Sequence, residues 1–168
     1  MLRTPMMLSL LALLALTGCK LDSEEALRQR LIRQVYLLDT VHFASSSTCT
    51  AAVFTLALAE FRNKFAAAGT VKAALRMIEQ GQPVHFYMPE VSPNEISERL
   101  MSHNLPSGLG LISAAVGPAQ NCMPDQVSRG YFRVLMSPET QLVYLPKDNA
   151  LLLVYVPEKL AFYLRSNV

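Results

Sequence analysis

The sequence predicts an α+β domain: an N-terminal helical layer packed on a small antiparallel sheet that ends in a C-terminal three-stranded meander. Three observations carry this expectation. Behind the first 20 residues, apolar side chains recur at helical spacing. In the last third, short apolar runs are separated by proline-containing turns. Over 168 residues, 51% are hydrophobic and 17% charged, which is too apolar for a disordered chain and enough for one buried core.

The elements follow in order. Asp22-Ser23-Glu24-Glu25 has the pattern of a capping box, with Asp22 as N-cap and Glu25 three residues on. Leu27, Leu31, Val35, Leu38 and Val41 continue at helical spacing, predicting a helix from about Ser23 to Phe43. Ile32 and Tyr36 form a second apolar pair, which fits the core or a contact with a partner, the core being favoured. Ser45-Ser46-Ser47-Thr48 breaks the pattern. A second helix is expected from Cys49 to Ala68, with Phe54, Leu58, Phe61 and Phe65 on one stripe and Gly69 as its stop. Thr70 caps a third helix, Val71 to Gln80, ended by Gly81.

Val84, Phe86 and Met88 alternate with His85 and Tyr87, as in a strand that Pro89 ends. Ser92-Pro93-Asn94-Glu95 is another capping box, opening a short helix to about Ser102. Leu109 to Val116 fits a buried helix or a strand; its Ser-Ala-Ala composition favours helix. The meander is placed at Tyr131–Met136, Gln141–Leu145 and Ala150–Val156, joined by turns at Ser137–Thr140 and Pro146–Asn149. A short helix over Glu158–Arg165 closes the chain. With no repeat, low-complexity stretch or long linker, one domain is expected.

The leader reads MLRTPMMLSLLALLALTGCK. Arg3 precedes an apolar run from Met6 to Leu16, about half the roughly 20 residues that span a bilayer and the right length for a secretion-signal core. Leu16 stands where an ordinary signal peptidase wants a small residue. Leu16-Thr17-Gly18-Cys19 resembles the lipobox of bacterial lipoproteins. The resemblance covers only the leader. It implies a signal peptide over residues 1–18 that is removed, and a periplasmic domain over residues 19–168. It also implies a diacylglycerol on the Cys19 sulfur and a fatty acid such as palmitate on the new amino group. Two or more acyl chains give stable anchoring. Lys20, where family members retained in the inner membrane carry aspartate, points to the outer membrane, facing the periplasm. Behind the leader no run of 18 apolar residues occurs, so no further span is expected.

With Cys19 spent on lipid, Cys49 and Cys122 remain as a pair. In an oxidising periplasm they are expected to join, closing a loop of about 74 residues worth roughly 4 kcal/mol. Two buried, unpaired thiols are the alternative.

Chemistry is harder to find. A net charge of +2 supplies no field for nucleic acid. His42, His85 and His103 lack metal-site spacing, and no Cys-x-x-Cys accompanies them. There is no G-x-S-x-G or S-x-x-K, and Gly108-Leu109-Gly110 is too short for a phosphate loop. Glu95 and Glu98 read as a solvated helix face. Arg28, Arg30 and Arg33 read likewise, with anionic head groups as the alternative. No catalytic, metal-binding or cofactor-binding residue is assigned. The expected function is a lipid-anchored, non-catalytic accessory that binds or assembles envelope partners. The alternatives are a small envelope enzyme whose site forms only in the fold, using His85, His103 or nearby carboxylates, and a carrier of an apolar ligand.

Overall fold

A computed structural model describes residues 21–108 and 118–166. Cys19 with its leader, Lys20 and the Leu109–Val116 segment lie outside the described residues.

Helix α1 (Glu24–Leu31) is capped by Ser23 rather than Asp22: the Ser23 hydroxyl accepts from the Ala26 amide at 3.2 Å. Leu27 and Leu31, one turn apart, are its buried face. The chain then turns into β1 (Val35–Ser45), which pairs antiparallel with β2 (Cys49–Phe61). The long helices expected over 23–43 and 49–68 are therefore one short helix and a hairpin. The physical reason lies in the spacing. Apolar residues four apart satisfy a period of two as well as 3.6, and β-branched and aromatic residues crowd both segments, favouring extended backbone.

Next come β3 (Ala67–Ala68), α2 (Val71–Glu79), β4 (Val84–Phe86) and α3 (Pro93–His103). Thr70 caps α2 through the Ala73 amide at 3.2 Å. The Ser92 capping box is complete: the Glu95 amide donates to Ser92 Oγ at 3.3 Å, and the Ser92 amide to Glu95 Oε2 at 3.0 Å. A 3-10 turn (Pro118–Cys122) leads into α4 (Asp125–Leu135). Three strands finish the chain: β5 (Thr140–Leu145), β6 (Ala150–Tyr155) and β7 (Leu160–Ser166). The meander exists, displaced by one strand. Tyr131–Met136 belongs mainly to α4, where Tyr131, Val134 and Leu135 bury one helical face. Glu158–Arg165 leads into and forms most of β7, not a helix.

The seven strands form one sheet in the order β1-β2-β7-β6-β5-β4-β3, antiparallel except at β3–β4. It is larger than the small sheet expected, and its helices are not one N-terminal layer. On one face, α2, α3 and α4 pack on Val53, Leu142, Leu151, Leu153 and Phe162. On the other, α1 packs on Phe54, Leu152, Val154 and Tyr163. β2 pairs with β7 only to Thr55. Its continuation arches over the second face, where the Ala59 carbonyl accepts from Gln141 Nε2 at 3.4 Å and the Phe61 ring lies 5.1 Å from that of His85.

Candidate functional site

Cys49 opens β2 and Cys122 closes the 3-10 turn; they form a disulfide with Cα atoms 6.1 Å apart. Both are buried. The bridge staples the first hairpin to the turn that feeds α4, joining sheet to helical layer. Cys49 starts a strand, however, not a helix. Beside the bridge, His42 Nε2 donates to the Cys122 carbonyl at 2.8 Å. The carbonyl only accepts, so the proton sits on Nε2.

His42 lies on the rim of an open cleft of about 480 Å³ between the sheet and the start of α4. Val41, Val53, Leu160 and Phe162 form its sheet wall, from three strands. Pro124, Gln126, Val127 and Gly130 form its helix wall. Val41 is 58% exposed. A Cβ on Gly130 would meet nothing within 4 Å. No sequence pattern joins these residues; the single local signal is a glycine, Gly130, directly before the strand expected at Tyr131–Met136.

A second region surrounds His85. Two open hollows of about 300 and 390 Å³ share His85 and Gln141. The Phe61 and Tyr87 rings stand 5.1 and 6.3 Å from the His85 ring, both edge-on. His85 is thus half-buried among aromatics, and desolvation lowers its pKa below 6.5. The unfolded chain then takes up a proton near pH 6.5 before the folded chain does. Stability is expected to be flat above that pH and to fall as pH drops through it toward the lowered value. Thermal melts between pH 7.5 and 5 check this: His85→Gln should flatten the slope, and an unchanged slope would contradict the assignment.

The other candidates fall elsewhere. His103 ends α3, exposed at its C-terminus. Among the described residues no three His, Cys, Asp or Glu side chains converge as a metal site. Glu95 is held below its ordinary carboxylate pKa by the Ser92 backbone and side-chain hydrogen bonds of the capping box. Glu98 accepts from Asn94 Nδ2 at 2.8 Å. Arg28 donates to Thr40 Oγ1 and the Leu38 carbonyl, both at 2.8 Å, instead of lying on an open helix face.

Asp22 is used in a way that sequence spacing does not disclose. Its carboxylate stands 3.1 Å from Arg165 and 3.8 Å from Arg30, and accepts from the Thr50 hydroxyl at 2.8 Å. Its amide donates to Ser45 Oγ at 3.2 Å. Arg30 also donates to the Tyr163 hydroxyl at 3.0 Å, while burial pushes the Tyr163 pKa up to about 12. These partners come from α1, β1, β2 and β7.

No helix among the described residues is long and apolar enough to cross a membrane. No family model, curated protein or solved structure matches the chain.

Proposed function

We propose that this chain is a lipid-anchored envelope protein, held by Cys19 on the outer membrane and facing the periplasm. Its groove beside His42 binds an apolar segment of another envelope protein. The disulfide supports an oxidising compartment. The observation that carries the binding role is Gly130. A glycine inside a helix costs about 0.5–1 kcal/mol relative to alanine, and here it leaves empty space beside a groove lined by apolar side chains. Such a cost is offset when the empty space receives a partner side chain. The groove is also open along one side and rimmed by β1, which ends the order of the sheet. That geometry suits an extended partner segment better than an enclosed small molecule.

Two substitutions test it. Gly130→Ala should raise stability by about 0.5–1 kcal/mol, seen as a melting point higher by a few degrees. Gly130→Leu should fold and fill the groove. A photoreactive side chain at Val41 should cross-link one envelope protein in intact cells, and Gly130→Leu should abolish that adduct. Cross-linking that ignores Gly130→Leu would overturn the groove as the binding site.

A further inference from the structure

We infer that the domain stands end-on against the phospholipid head groups, with the β1–β2 and β5–β6 turns at the membrane and the recess beside Tyr87 and Thr140 turned away. This rests on the lipidation of Cys19 proposed above. Only Lys20 and Leu21 separate Cys19 from Asp22. At roughly 3.3–3.6 Å per residue, the acylated residue is never more than about 11 Å from Asp22. Asp22 is no loose end: Arg165, Thr50 and Ser45 hold it from three strands, at 3.1, 2.8 and 3.2 Å. A tether this short, fixed at a point this rigid, sets which end of the sheet meets the lipid.

Strand register identifies that end. Thr50 pairs with Arg165, and Arg165 with Ala150, so the turn before β6 lies at the clamped end. Ser166 donates its amide to the Asn149 carbonyl there at 3.3 Å. Lys147, exposed in this turn beside the exposed Asp148, presents an ammonium to lipid phosphates. Asp22 and Arg165 neutralise one another within the clamp. At the opposite end, Tyr155 pairs with Leu160 and Thr140 with Tyr155. The β6–β7 turn with its exposed Lys159 therefore sits one strand length from the clamp, about 20 Å away. The recess lined by Tyr87, Met88 and Thr140 lies at that distal end.

The two lysines test the orientation without new cysteines. The full acylated protein is placed in vesicles of phosphatidylethanolamine and phosphatidylglycerol and treated with a water-soluble amine reagent. Peptide masses then give the labelling rates at Lys147 and Lys159. Lys147 should react at least fivefold more slowly than Lys159. Ten Gly/Ser residues inserted between Lys20 and Leu21 should bring the two rates within about twofold. A Lys147-to-Lys159 ratio unchanged by the insertion overturns the end-on geometry while lipid anchoring stands. Protein that carries no acyl mass at Cys19 and does not float with the vesicles overturns both.

Discussion

Replacing both bridge cysteines, Cys49→Ala with Cys122→Ala, is expected to cost about 4 kcal/mol and to lower the melting temperature by about 10 °C. The cross-link joins residues 73 apart in sequence, so its loss returns a long loop's freedom to the unfolded chain. Native packing suffers as well. Both cysteines are buried, and the Cys122 carbonyl is the acceptor that holds His42 at the groove. Urea titrations of oxidised and double-mutant protein measure the difference. A loss below 1 kcal/mol would contradict the staple's role.

The second large effect lies in β2 and discriminates strand from helix. Phe54 is fully buried on the α1 face, against Leu152 and Tyr163, and Phe54→Ala should cost about 4 kcal/mol. Leu56, two residues on, is on the same face and buried; Leu56→Ala should cost about 3 kcal/mol. Leu58 is 48% exposed, and Leu58→Ala should cost less than about 0.5 kcal/mol. A helix would make Phe54 and Leu58 alike and put Leu56 on another face. A negligible cost at Leu56 beside a large cost at Phe54 would therefore sink the strand assignment.

That contrast explains what could be read beforehand. Thr70 and Ser92 were legible because a cap is a local event: the side chain bonds an amide three residues away. β5 and β6 were legible because proline turns bracket them. The first hairpin was not. Residues 49–54 of β2 are buried on both faces, so alternation vanishes, and apolar residues four apart satisfy either period. β7 fails for the same reason: Ala161 to Leu164 are all buried between β2 and β6. In α4 the helical period was present at Val127, Tyr131 and Val134, but the strand-forming residues at its end outweighed it. The site was less legible still. Its groove is assembled from β1, β2, β7 and α4, and the Asp22 clamp joins residues 28 and 143 apart. Such convergence has no local signature. The disulfide was accessible by elimination, because the lipobox resemblance assigns one cysteine of three to lipid and leaves Cys49 and Cys122.

Intact-mass measurement of the protein extracted from its native membrane tests the central claim most directly. The account predicts a polypeptide beginning at Cys19, heavier than residues 19–168 by a diacylglyceryl group and an amide-linked fatty acid, and lighter by the two hydrogens lost in joining Cys49 to Cys122. A polypeptide that retains Met1 and carries three free thiols would contradict it.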